Sequence, residues 1–238
     1  MRAQARIGFA VAMAIVAGNA SAHEVYLDPF GASSDVDQFF LSQGFNHLDL
    51  SAVEAANHSL NEFEMDILVN GDIAATNWGK FNIYFDTQAG GRTDNPWGRA
   101  ITTGQEADWF IGGWADGGGG AELYQATPGG WTLASATYNP GSVMEVHLGS
   151  AAAGVWSMHL DWSMFNLSVG QHIGLEVATT AGGTSDPGVD HLSLSSIATP
   201  NWSTPSVGGS FKEYHVEPAP GSVAVLGIAG MLAGRRRR

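Results

Sequence analysis

Three tryptophans lie in polar, turn-like surroundings: Trp78 in Thr76-Asn77-Trp78-Gly79, Trp97 in Asn95-Pro96-Trp97-Gly98 and Trp202 in Asn201-Trp202-Ser203. An indole held in a loop offers a flat apolar face to the C–H groups of a pyranose ring, and neighbouring polar side chains bond the ring hydroxyls. Asp94 and Arg99 flank Trp97 and complete a candidate sugar contact. The structural use of such residues is to cap the open end of an apolar core. Trp109, Trp131 and Trp156 alternate with core-like neighbours and are expected inside.

Carboxylates in glycine-rich loops suit calcium, which takes six to eight oxygen ligands. Asp86 and Asp94, and separately Asp186 and Asp190, are the candidates, and a structural calcium is the one cofactor expected. EF-hand spacing is absent, since Asp35-Val36-Asp37 runs straight into Gln38-Phe39-Phe40. His23, as a mature N-terminus, could chelate copper through its amine and imidazole, but no other histidine stands in a recognisable ligand motif. There is no Gly-x-Ser-x-Gly elbow and no His-Glu-x-x-His pair. Gly79-Lys80 is followed by Phe81, so the P-loop pattern is absent as well. On a chain this acidic, pairs of acids arise by chance and anchor no glycosidase chemistry. No catalytic residue is assigned, and the expectation is a protein that is not an enzyme.

The elements that must position these residues read as strands. Short segments rich in aromatic and β-branched residues recur between Gly, Asn, Asp and Pro, and helical periodicity is scarce. The expected strands are 25–28, 48–56, 63–69, 80–86, 108–114, 121–125, 131–136, 143–148, 155–161, 173–179, 191–195 and 211–216. Phe63, Met65, Ile67 and Val69 share one face, with Glu64, Asp66 and Leu68 opposite. Phe81, Ile83 and Phe85 do the same and mark a half-buried strand. One helical turn is expected between Leu160 and Phe165. The fold class expected is all-β, an antiparallel, jelly-roll-like β-sandwich over residues 23–215.

Phe81-Asn82-Ile83-Tyr84-Phe85-Asp86-Thr87, followed by Ala107-Asp108-Trp109-Phe110-Ile111 and Ala121-Glu122-Leu123-Tyr124, resembles successive strands of family 9 carbohydrate-binding modules and DOMON-like domains. The resemblance covers about residues 48–216 and implies a β-sandwich that associates with sugar.

Charge and cysteine usage narrow the partners. Between Glu24 and Glu217 the only bases are Lys80, Arg92, Arg99 and Lys212; these four against all 23 acids give a formal charge of −19. Such a surface repels nucleic acid and anionic lipid. There is no cysteine, which excludes disulfides, thiol catalysis and cysteine zinc sites.

The two ends carry the remaining basic residues. Arg2 and Arg6 precede an apolar stretch from Ile7 to Ala17, and Ala20-Ser21-Ala22 is a small-x-small cleavage triplet. Residues 1–22 therefore read as a helical export signal peptide. At the other end, Glu217-Pro218 leads into an apolar run from Val223 to Gly234, and Arg235, Arg236, Arg237 and Arg238 follow. The twelve apolar residues fall short of the roughly 20 that span a bilayer comfortably. Basic residues behind such a run hold it on the cytoplasmic side. Residues 216–238, with a short transmembrane helix over 220–234, resemble the PEP-CTERM sorting signal, although that family begins Pro-Glu-Pro and Val216 stands first here. The resemblance implies processing by an exosortase-type membrane protease and a precursor held transiently in the membrane. Taken together, the expectation is an exported cell-envelope or extracellular protein that associates with polysaccharide. The alternatives are a structural matrix protein without a small ligand and a secreted polysaccharide-active enzyme.

Overall fold

The computed structural model describes residues 22–76 and 78–217. Residues 1–21, expected to be an export signal, Asn77, and residues 218–238, with the expected 220–234 span and Arg235 to Arg238, lie outside the described residues. Among the described residues no helix is long and apolar enough to cross a membrane.

The protein is built mostly of antiparallel strands. In chain order they are β1 (Ala22–Leu27), β2 (Leu50–Ser59), β3 (Glu62–Val69), β4 (Lys80–Asp86), β5 (Ile101–Thr102), β6 (Trp109–Trp114) and β7 (Gly120–Thr127). There follow β8 (Gly130–Ala136), β9 (Met144–His147), β10 (Val155–Asp161), β11 (His172–Thr180), β12 (Asp190–His191), β13 (Ser206–Val207) and β14 (Lys212–His215). One sheet has the order β1-β2-β3-β10-β9. A second has the order β12-β11-β4-β6-β7-β8, with β14 also paired to β11. A small parallel pair, β13 and β5, forms a third. Most strands match the segments read from alternation. The expected strand 191–195 shrinks to the two residues of β12, and the expected helical turn is the short 3₁₀ segment Ser163–Phe165.

Period-two alternation explains the core. Phe63, Met65, Ile67 and Val69 of β3 are buried, and the residues between them are partly exposed. They share one apolar cluster with Phe81, Ile83 and Phe85 of β4, Ile111 of β6 and Val177 of β11. Phe63 and Phe85 meet edge to face at 5.8 Å, and Phe81 lies 5.3 Å from the fully buried Trp156 of β10. Trp156 lies where Gly113 of β6 has no side chain; a Cβ there would lie 2.5 Å from the indole.

Strand β4 departs from the half-buried expectation: Phe81 to Phe85 are all buried. Its outward residues Asn82 and Tyr84 are polar in type but covered, because Ile101, Ala107, Trp97 and Phe211 from connecting segments pack over Tyr84 and Phe110. A third apolar cluster forms around a short helix. There Asp37 caps the short helix α1 (Gln38–Leu41) by accepting from the Phe39 N–H at 2.8 Å, which turns Phe40 inward against Val36, Leu48 and Val189.

The two ends of the described chain meet at Asn57 of β2. Ala22 pairs with it across β1 and β2. Its Oδ1 accepts from the Tyr214 hydroxyl at 2.8 Å and from the Glu217 N–H at 3.2 Å, and its amide donates to the Glu217 carbonyl at 3.1 Å. Val216, placed by sequence at the head of the tail, is fully buried in this body.

Candidate functional site

Strands β6, β7 and β8 lie side by side, and their outward residues form a face rich in aromatic rings. The register sets Gly112 opposite Glu122 and Phe110 opposite Tyr124. Gly112 leaves a gap that the Trp97 ring fills; a Cβ there would lie 2.1 Å from the indole. Trp97 Nε1 donates to Glu122 Oε2 at 2.7 Å, the Tyr124 hydroxyl donates to the same oxygen at 2.7 Å, and the Tyr138 hydroxyl donates to Oε1 at 2.6 Å. The Arg99 guanidinium stands 5.6 Å from the centre of the Trp97 ring. Beside this group, Trp131 Nε1 donates to Asp94 Oδ1 at 3.0 Å, and Arg92 binds both Asp94 oxygens at 2.7 Å. Trp97, Tyr124 and Trp131 are half-buried, and Tyr138 is exposed.

Electrostatics keep both acids ionised. Burial works to raise the Glu122 carboxyl, but hydrogen bonds from Tyr138, Trp97 and Tyr124 outweigh it and hold it below the usual carboxylate range. The Arg92 hydrogen bonds, helped by Trp131, lower Asp94 against the effect of its partial burial. Anionic oxygens ringed by half-covered aromatic faces can accept hydroxyl hydrogen bonds while the rings stack on C–H groups.

A second group is acidic and buried. Asp28 follows β1, Asp35 lies in the loop beyond it and Asp190 is in β12; an oxygen of each lies within 4.8 Å of the others. Asp190 Oδ2 accepts from the Leu50 N–H at 2.7 Å. Nearby Asp49 orders the loop by accepting from the Gly31 N–H at 3.1 Å and the Ser34 hydroxyl at 2.7 Å. Burial first, and then repulsion from Asp35, pushes the Asp28 carboxyl up to about 8. Burial, with Asp28 and Asp35 beside it, pushes Asp190 well above its ordinary value. His172, Glu213 and His215 form a further group that could hold a metal, on the outside of β11 and β14.

A third group has the geometry of a nucleophile, base and orienting acid. His191 Nε2 lies 2.9 Å from Ser206 Oγ, and Nδ1 lies 3.0 Å from Glu176 Oε1. All three residues have no exposed surface, and the Gly188 N–H donates to the serine oxygen at 2.9 Å. The trio joins β11, β12 and β13 in the interior and presents no atom to a substrate in this conformation.

Against known protein families, curated proteins and solved structures, the chain matches none. The site is therefore read from geometry alone. Of the five residues expected to contact sugar, Trp97, Asp94 and Arg99 come together on the β6–β8 side of the molecule. Trp78 and Trp202 do not join them. Both pack into the cluster around α1, with Trp202 4.7 Å from Phe40, Trp78 4.9 Å from His47 and 6.4 Å between the two indoles. They cap the core. Trp131, expected inside, is half-buried on the outer face. Glu122, Tyr124 and Tyr138 were not singled out by sequence; the alternation in Ala121-Glu122-Leu123-Tyr124 could have identified the first two, and nothing local marks Tyr138.

The calcium candidates also separate. Asp190 lies in the buried acid cluster. Asp86 accepts from the Gln105 amide, Asp94 is held by Arg92, and Asp186 accepts from the Gly183 N–H at 2.6 Å. Asp28 and Asp35 were missed, because their partner Asp190 lies far away in sequence and leaves no spacing signal. His23 lies in β1, and its Nε2 is 3.2 Å from Glu54.

Proposed function

We propose that the chain is an exported, non-enzymatic protein of the cell envelope or extracellular surface that associates with polysaccharide through the face around Trp97 and Glu122. The observation that carries this reading is the set of three donors from Trp97, Tyr124 and Tyr138 on one ionised carboxylate, with Asp94 and Trp131 alongside. Its body is a jelly-roll-like β-sandwich. The apolar cluster common to the two large sheets supports this, as does the approach of β1 to β14, where the Tyr26 hydroxyl donates to the Glu213 carbonyl at 2.7 Å. Delivery uses the N-terminal export signal and the PEP-CTERM-like tail, with an exosortase-type protease as partner.

A glycan array followed by tryptophan-fluorescence titration tests the binding. Trp97→Ala is expected to weaken binding at least about tenfold, because an aromatic stack and a hydrogen bond together are worth more than about 1.4 kcal/mol. Absence of binding to any glycan, with and without calcium, would favour a purely structural matrix protein. Sorting is read separately by mass spectrometry of surface protein. The 220–234 segment is expected to be missing from the mature form, and an intact C-terminus would indicate a plain membrane anchor.

A further inference from the structure

The end of β1 and the start of β2 are joined by a loop that turns back on itself. Gly31 adopts a left-handed backbone with φ of 64°, and Asp49 receives hydrogen bonds from Gly31 and Ser34. This places Asp35 over Asp28. Asp190 arrives from the other large sheet, opposite Thr179 of β11, and is fixed by the N–H of Leu50. Three carboxylates from separated segments thus converge, and Asp28 and Asp190 are only 6% and 2% exposed.

Their oxygens are not satisfied by the protein. The Asp28 side chain makes no hydrogen bond among the described residues, and its buried Oδ2 has no partner. Both Asp35 side-chain oxygens are buried without a partner as well. An orphaned buried polar oxygen is costly, and carboxyl groups this close resist ionising together without a counter-charge.

We propose that Asp28, Asp35 and Asp190 form a binding site for a hard divalent cation, calcium, that ties the end of β1 and its following loop to β12. The donors are all carboxylate oxygens, with no imidazole or thiolate, which selects against zinc and copper. Calcium binds oxygen at about 2.3–2.6 Å, so ligands on opposite sides of one ion stand about 4.6–5.2 Å apart. The oxygens lie within 4.8 Å of one another and fit that sphere. Magnesium needs about 2.0–2.1 Å and stricter octahedral geometry, and it gives up its waters reluctantly. The proposal is independent of polysaccharide association, which uses other residues and another probe.

Isothermal titration of the metal-stripped full-length protein with calcium chloride, paired with thermal melting, tests it. One equivalent is expected to bind with Kd at or below about 10⁻³ M, raising the melting temperature, and magnesium is expected to bind at least about tenfold more weakly. Asp35→Asn is the decisive variant. It removes a charge that bonds to nothing in the protein, so the fold is retained, and calcium affinity is expected to fall at least tenfold. Val169→Ala, an exposed substitution outside this site, is expected to bind calcium as the wild type does. The proposal is overturned by the absence of saturable heat and of any melting shift at about 10 mM calcium, ten times the weak end of the extracellular range. It is equally overturned if Asp35→Asn binds calcium as tightly as the unaltered chain.

Discussion

Truncating His191 to alanine is expected to lower folding stability by about 3–5 kcal/mol, measured by urea unfolding at neutral pH. The ring is completely enclosed, and both nitrogens are engaged, by Glu176 and by Ser206. Glycines make the enclosure possible: a Cβ on Gly188 would lie 2.3 Å from Nε2, and one on Gly208 would lie 3.0 Å from Nδ1. Alanine would leave Glu176 with neither oxygen partnered, since Oε2 already has no hydrogen bond. Removing one member of a buried polar pair costs more than the pair contributes, because the survivor stays desolvated. The double variant Glu176→Leu with His191→Leu is therefore expected to recover much of the loss. A loss below about 1 kcal/mol for His191→Ala would mean that the network is not formed.

The second large effect is a pH dependence. His47 is 3% exposed, packs edge to face against Trp78 and has no partner for Nε2 among the described residues. Burial pushes its pKa down to about 4. An unfolded histidine titrates near 6.5, so between pH 6.5 and 4 the unfolded chain binds the proton and the folded one does not. Stability from this group is complete above pH 6.5 and is lost as pH falls toward 4, by about 3 kcal/mol in all. The raised Asp28 and Asp190 carboxyls act the other way across the same range. The measurement is thus the difference between wild type and His47→Phe, which is expected to shift by about 3 kcal/mol between pH 7 and pH 4. Glu122 and Asp94 have lowered pKa values and lose their contributions further down, as pH falls through them. An unchanging difference between the two proteins would show that His47 protonates freely in the folded state.

Strands with a long alternating pattern were legible in the amino-acid order, and their neighbours were not. Phe63 to Val69 announces both its conformation and its inward face, because period-two alternation is a local property. The two-residue strands β5, β12 and β13 have too few residues to alternate; β5 and β13 exist because the 206–208 backbone bonds to Ala100 and Thr102, and β12 because it pairs with β11. Asn82 and Tyr84 look like a solvent face until loops distant in sequence cover them. The same divide runs through the sites. Trp97, Asp94 and Arg99 lie within six residues and were found together, whereas Glu122 reaches them only through the pairing of β6 with β7. Trp78 and Trp202 resemble Trp97 in local context, and only packing separates a cap from a face. Asp28, Asp35, Glu176, His191 and Ser206 are ordinary residues in sequence, and only the strand order together with the loop after β1 assembles them.

Asn57 has a consequence for how the body can be held. It pairs with Ala22 at the beginning of the described chain and grips Glu217 at its end. Entry and exit are therefore a single doorway. A tether on either terminus suspends the molecule from the same pole, where the Asn57 backbone pairs with Ala22 and the Asn57 side chain holds Glu217.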